Sequence, residues 1–489
     1  MKAALLSIQL CALSAVCVHG LDNSAAKACS LLKDALPGKV FFPGSGRYAA
    51  DIFHFQLSSS QNSTCSVEPT TVSDVSQIMK YVGRDDIRSP FAIKSAGGHA
   101  TNPGFSSTPG VQIAMTNFTD LTYDAVEQTV SIGPGLTWDK AYEQLDLLNV
   151  TVVGGRVPGV GVGLVLGGGY SWVTNQYGLG IDNIVSLDVV LPNGTFVQVA
   201  ESTHPDLFFA MKGGLNNFGV VTKFTLKAHS QPSIWGGVIN YGAEQNDAVI
   251  QALADFSINN TDIKAQLAAA QVVTDPSSAG WEVIFFYGEG NQAPAVYQPF
   301  FDIPATSTSL VTSGSFSEFL ALSTVLNPDP TAKGLSNVVP IIHYTVPLLN
   351  FIHTELTDTF NAAKAANRSV TSVLAGIEPF VSAFAHATPS AYEHSVARPV
   401  TPCNPWVTWS DPADNDYAHA ALRNMSDRIQ AFAIQQEESL STDLHYPNYA
   451  LDDTPLNLLY GENVPRLQAI HHSVDPENIM GLTGGFKFQ

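Results

Sequence analysis

Charge is the first scarcity in this chain. Only 13% of its 489 residues are Asp, Glu, Lys or Arg, and the acids outnumber the bases 43 to 23, for a net charge of -20. A surface so poor in cations repels nucleic acid and anionic membranes, which argues against both as partners and says nothing against a small uncharged substrate. Metal-binding patterns are missing too: there is no Cys-x-x-Cys and the 13 histidines are scattered, so no metal site is expected. Neither a Gly-x-Ser-x-Gly elbow nor a Gly-x-x-x-x-Gly-Lys phosphate loop occurs, which leaves hydrolase and NTPase chemistry without a carrier. No low-complexity tract or block of like charge interrupts a chain long enough for two or three domains.

The one long apolar run is N-terminal. Lys2 is followed by a mostly apolar stretch to Val18 and by Val18-His19-Gly20, the pattern of a signal peptide over residues 1–20. It is short for a membrane span and no stop-transfer segment follows. The expected setting is therefore secretion or a secretory-pathway vesicle, and the seven Asn-x-Ser/Thr sequons agree, at Asn62, Asn117, Asn149, Asn193, Asn259, Asn367 and Asn424. Of five cysteines, two fall in the leader. Cys29 and Cys65, both near the mature N-terminus, are expected to form a disulfide, which leaves Cys403 as a buried, inert thiol.

Along the chain, a helix is expected from Ser24 to Ala35 and another from Thr71 to Tyr81, capped by Ser73. Short strands follow at Phe91–Lys94, Val111–Met115, Leu121–Asp124 and Thr129–Ile132. A helix over Thr137–Leu148 places Trp138, Ala141, Leu145 and Leu148 on one face. Ile184–Leu191, the turn Pro192-Asn193-Gly194 and Thr195–Ala200 read as a hairpin. A short helix, Asp206–Met211, and a strand, Lys223–Lys227, come next. After residue 230 the elements lengthen: helices over Asn246–Ser257, Pro347–Ala365 and Tyr417–Gln436, and strands over Trp281–Tyr287 and Ser369–Ala375. Strands and helices without strict alternation imply an α+β arrangement on an antiparallel sheet. A last helix is expected near Asn463–Ser473, with His471-His472 on its exposed side.

Two glycine-rich stretches stand out. Lys94-Ser95-Ala96-Gly97-Gly98-His99-Ala100 follows a strand, and its consecutive amides would cradle an anion with the imidazole at the end. Alone, such a loop is more often a plain turn with a solvated histidine. Half of the residues from Gly154 to Gly169 are glycine, interleaved with Val and Leu, which suits buried backbone against something flat. Its spacing does not match Gly-x-Gly-x-x-Gly, so the Rossmann fingerprint is absent.

With Gly133-Pro134-Gly135, Pro158-Gly159-Val160-Gly161, Gly167-Gly168-Gly169, Asp206-Leu207-Phe208-Phe209-Ala210, Tyr446-Pro447-Asn448 and Asp475-Pro476 before Asn478, these stretches resemble the berberine bridge enzyme-like family, within the vanillyl-alcohol oxidase group of FAD-linked oxidases. The similarity spans about residues 66–230 and 443–489. It implies an α+β fold with a two-part PCMH-type FAD-binding domain over 21–230 (core about 66–230). A substrate domain over 231–442, an antiparallel sheet with helices on one face, and a C-terminal element over 443–489 that returns to the FAD domain would complete it.

The resemblance also implies roles. His99 would carry FAD covalently, and the amides around Ser95, Ala96, Gly97, Gly98, His99 and Ala100 would hold its pyrophosphate. Pro158, Gly161, Gly168 and Gly169 would line pyrophosphate and ring, Val221 would meet the adenine and Asn448 the flavin. Many members have a second anchor, a cysteine where this chain has Val157, so a single histidyl link is expected, with a smaller or less sugar-like substrate. For the base, Tyr446 is the first candidate and His343 the second, though a half-buried structural histidine is the competing reading of His343. Trp406 and Trp409 would wall the pocket or pack in the core. The expected activity is an oxidase, in a monomer, passing hydride from a small organic alcohol or natural-product precursor to FAD, with O2 returning as H2O2. A flavin dehydrogenase, or a flavoprotein cyclase or binding protein, is the alternative.

Overall fold

The computed structural model describes residues 23–275, 279–290, 292–322 and 332–489. The leader expected over 1–20 lies outside them.

Near the N-terminus, a helix over residues 23–35 is tied by the Cys29–Cys65 disulfide, Cα to Cα 6.0 Å, to the strand Cys65–Val67. That strand belongs to a four-stranded sheet ordered Val40–Phe41, Cys65–Val67, Val111–Ala114, Phe91–Lys94, the last three parallel. The helix Val72–Val82 covers it with Val75, Ile78, Met79 and Val82, against Val67, Phe91 and Ile113. Its cap is Thr71, not the expected Ser73. Thr71 Oγ1 accepts the Asp74 amide (3.1 Å) and Asp74 Oδ2 accepts the Thr71 amide (3.0 Å), a reciprocal pair that leaves Ser73 inside the first turn.

A five-stranded antiparallel sheet follows, ordered Leu121–Asp124, Thr129–Ile132, Val220–Lys227, Ile184–Val190, Phe196–Val199. The expected hairpin is its edge. Val190 and Val220 join the core beneath Val72–Val82, so the two sheets share one seam. The helix expected over Thr137–Leu148 is Trp138–Asp146, ending before the exposed Leu147 and Leu148.

The largest sheet has eight antiparallel strands. Seven run in the order Ser307–Gly314, Ile234–Tyr241, Gly280–Tyr287, Ala265–Val273, Val370–Ile377, Thr401–Trp409, Lys333–Ser336, and Val339–Ile341 also pairs with Thr401–Trp409. Strand side chains alternate faces, and here the two faces serve different cores. Val283, Phe285, Val373, Ala375 and Ile377 pack under the helices Asn246–Asn259, Val346–Ala365 and Asn415–Gln435, where Phe351 stacks on Phe432 at 4.2 Å. Ile284 and Phe286 point the other way, into the core that holds the glycine block and the five-stranded sheet. The strand expected to end at Ala375 continues to Ile377 and delivers Glu378 on this second side.

After Ser439 the chain comes back: Tyr446, Ala450, Tyr460, Phe486 and Phe488 lie in that same second core. His471 is buried and hydrogen-bonds the Asn217 carbonyl (3.1 Å), so only His472 of the expected exposed pair faces solvent. Trp409 is core, bonded to Asn415 Oδ1 (2.9 Å), whereas Trp406 is half-buried beside Asn404 on the opposite face. Cys403 is a buried free thiol whose pKa burial raises, as expected of an inert one. Among the described residues no helix is long and apolar enough to cross a membrane.

Candidate active site

The strand Phe91–Lys94 ends at a turn that Gly98 completes with φ +67°, and the turn stands directly against the glycine block. A Cβ on Gly97 would collide with the backbone of Gly159 and Gly161, and one on Gly161 with Ser95 Oγ, so each stretch is glycine because the other is there. The Ala96 amide donates to the Pro134 carbonyl (3.1 Å). The amides of Gly97, Gly98, His99 and Ala100 find no acceptor among the described residues. Four adjacent unpaired donors at a glycine turn are what a diphosphate needs.

His99 stacks on Phe55 at 4.4 Å, and both its ring nitrogens are buried without a hydrogen bond of normal geometry. Burial lowers its pKa to about 4, opposed in part by the neighbouring Gly159 backbone. The ring is therefore neutral near pH 7, with a free lone pair, the state in which an imidazole can bond carbon. Around it Ser95, Ala96, Gly97, Ala100, residues 156–160, Gly163, Asn448 and Tyr449 are partly exposed between buried stretches of chain, which leaves the cradle and the glycine block accessible to a ligand. An orphaned imidazole, free amides and accessible glycine stretches fit FAD.

Tyr446 stands on the far side. Its Oη accepts from the Gly169 amide (3.0 Å) and from Asn448 Nδ2 (2.7 Å), and Asn448 Nδ2 also donates to the Leu164 carbonyl (2.9 Å). The Gly167-Gly168-Gly169 triplet exists for these two side chains. Gly168, at φ +125°, would place a Cβ 2.6 Å from Tyr446 Cε2, and a Cβ on Gly167 would strike Asn448 Oδ1. Burial raises the Tyr446 pKa, opposed by the Asn448 and Gly169 donors. Tyr170 and Tyr449 stand edge-on to its ring, each at 4.9 Å.

Three residues that sequence reasoning missed complete the site. Arg156 Nη2 donates to Glu378 Oε2 (2.7 Å) and to Tyr449 Oη (2.8 Å), while Tyr449 Oη donates to Glu378 Oε1 (3.0 Å). This closed ring joins the glycine block, the eight-stranded sheet and the C-terminal return. Burial opposes the Arg156 charge, but Glu378 and Tyr449 outweigh it and raise the guanidinium pKa. Burial, and then Glu378, raise the Tyr449 pKa well above its usual value, with Arg156 opposing. The one available signal was Arg156 itself, the lone charge inside an apolar glycine block.

His343 is not brought to this cluster. Its ring is exposed and paired with Glu438 (3.2 Å), because the short strand Val339–Ile341 ends before it at the sheet margin. Val221 is buried on the strand Val220–Lys227, beside a register shift between Val221 and Lys223.

The FAD binding domain family matches residues 63–200. The FAD-dependent monooxygenase drtC of Aspergillus calidoustus is 30% identical, over 96% of this chain and 91% of that protein. Among solved structures, Physcomitrella patens BBE-like 1 superposes with a TM-score of 0.74 at 19% identity, covering 94% of this chain and 98% of the other. Xylooligosaccharide oxidase from Myceliophthora thermophila C1 gives 0.75 at 20% identity, covering 93% and 98%. At such identities the two structures show a shared fold. With a glycine cradle, a neutral histidine and a tyrosine–carboxylate ring set together, and with a relative matched over nearly its whole length, the chain belongs to the FAD-dependent oxidoreductases, in the PCMH-type fold shared with the berberine bridge enzyme-like proteins.

Proposed function

We propose that this chain is an FAD-linked oxidase acting on a small organic alcohol or natural-product precursor, with FAD held by a single covalent link through His99. The observation that carries this reading is the neutral His99 ring, both nitrogens unpartnered, beside the free amides of the cradle. Bound there, FAD would supply hydride acceptance, and O2 would restore it with release of H2O2. Val157 offers no thiol for a second link.

The chain's own residues handle the proton. Tyr449 Oη can take a proton from a substrate hydroxyl as its own proton passes to Glu378 Oε1, 3.0 Å away. The substrate is left as an alkoxide, Glu378 becomes neutral and Tyr449 is unchanged. Tyr446, which accepts two N–H bonds on its oxygen, has its own proton free to donate and so orients a substrate oxygen; only as the phenolate, which those same two donors would stabilise, would it be the alternative base. Tyr170 (4.9 Å) and Tyr392 (6.0 Å) pack against the Tyr446 ring, and Phe380 packs on Tyr170 (4.6 Å), an apolar surround for these hydroxyls.

Secretion with N-glycosylation is part of the same reading, supported by the exposure of all seven sequon asparagines. We also expect a monomer. A second reading, oxygen transfer to the substrate, is favoured by the name of drtC. A panel of primary and secondary alcohols tested with purified yellow protein separates the two. One H2O2 per oxidised alcohol with no label from 18O2 in the product supports the oxidase, and label in the product supports oxygen transfer. Turnover only with an artificial electron acceptor would make it a dehydrogenase.

A further inference from the structure

Arg156 does more than pair with Glu378. A guanidinium carries five N–H donors in one plane. Both contacts that Arg156 makes with acceptors, Glu378 Oε2 and Tyr449 Oη, leave from Nη2. Among the described residues, Nε and Nη1 have no acceptor at all. The side chain is only 9% exposed, yet neither Nε nor Nη1 is sealed from solvent. Val157 and Pro158, next to it in the chain, and Tyr449, its hydrogen-bond partner, are themselves partly exposed. The faces of the guanidinium are closed by Phe380, 5.4 Å from its centre, and Trp172 at 6.0 Å. What is left accessible is therefore an edge, flat and donor-only, between aromatic walls.

A charged donor edge with so little access to water favours a ligand that supplies oxygen lone pairs. The charge of Arg156 is already balanced by Glu378, and a carboxylate ligand would add a net negative charge beside that same glutamate. The complement is thus a neutral acceptor on a flat, apolar frame. Resting on the alcohol-oxidising reading above, we propose that the free edge of Arg156 is a specificity element that binds a carbonyl oxygen of an aromatic or enone-like substrate, holding its alcohol carbon near Tyr449. A carbonyl of the flavin itself is the other possible source of that oxygen, and the experiment separates them.

The test uses holoprotein and two probes of like shape, acetophenone and ethylbenzene, titrated by calorimetry. Wild type should bind the ketone about 10- to 100-fold more tightly, the range of one hydrogen bond from a charged donor. In Arg156→Met/Glu378→Gln, which removes both charges together and so protects folding, the preference should shrink to about threefold or less. Arg156→Lys keeps the charge but not the planar fork and should lose most of the preference. Equal binding of the two probes by wild type, or a preference that survives in the double variant, overturns the proposal. If the flavin carbonyl holds the edge, wild type shows no preference and Arg156→Lys shifts the resting flavin spectrum without any probe, which also overturns it. Protein without flavin would count against the flavoenzyme reading, while the calorimetric preference still decides this one.

Discussion

Cutting half of the Arg156–Glu378 pair should harm the fold more than removing all of it. The two side chains are each 9% exposed and meet at 2.7 Å, among Trp172, Phe380 and Tyr449. Glu378→Gln leaves a guanidinium without its counter-charge in that setting, which costs about 3–5 kcal/mol. Arg156→Met strands the carboxylate at a comparable cost. Arg156→Met/Glu378→Gln strands neither, keeps an acceptor for the Tyr449 hydroxyl, and should return to within about 2 kcal/mol of wild type. Urea unfolding followed by tryptophan fluorescence reads the difference, since Trp172 lies against the guanidinium. Each single variant should lower the midpoint by roughly half to one molar, since the urea dependence of a chain this long exceeds the ~1–3 kcal/mol per M of small proteins. A double variant as unstable as the sum of the singles would refute the reasoning, because it would mean the charges never interacted.

His99→Ala should give protein whose yellow colour is released by acid, whereas wild type keeps it; free flavin from wild type would end the covalent assignment. Asp51 tests the sign of a pH effect. Burial, opposed by the Ser66 hydrogen bond, raises it to about 6, so its contribution is complete below about pH 4, its unfolded value, and is lost as pH rises through 6. Asp51→Asn should therefore match wild type near pH 4 and exceed it by about 1–3 kcal/mol at pH 7.5 in urea midpoints; a loss there contradicts the assigned burial. Gly168→Ala meets both a positive φ and the Tyr446 ring, and should cost about 2 kcal/mol or more. Gly163→Ala, whose Cβ would find nothing closer than 3.6 Å, is the control and should change little.

Local signals carried well from sequence to structure where the cause was local. The hairpin around Pro192-Asn193-Gly194 and the long amphipathic helices depend on turn chemistry and a helical period, and both stand where those place them. Cys29 and Cys65 pair as their shared position in the N-terminal region implied. The strands Ile234–Tyr241 and Thr401–Trp409 were not legible, because both faces of each are largely buried and the period-two alternation is erased, and Ala265–Val273 was missed because its alternation in burial is written mostly in alanine and glutamine. The site divides the same way. The cradle was readable because free amides and positive φ demand glycine, which a sequence displays. Glu378 and Tyr449 were not, since a carboxylate at a strand end and a tyrosine in a loop acquire meaning only when Arg156, far off in the chain, meets them. Tyr446 kept its place among the candidates while His343 went to the sheet margin with Glu438.

The contact between the Gly169 amide and the Tyr446 hydroxyl spans 277 positions. Chains are made from the N-terminus, so the glycine block emerges from the ribosome long before the side chains that fill it. Until then the block lacks the side chains that fill it, and filling it requires a long-range pairing, the kind of contact that slows folding by the logic of contact order. Maturation is thus set by the arrival of the last stretch. A chain stopped before Tyr446 would keep the cradle and lose the wall opposite it, and cofactor attachment on such a chain would report how much of the site the N-terminal half can build unaided.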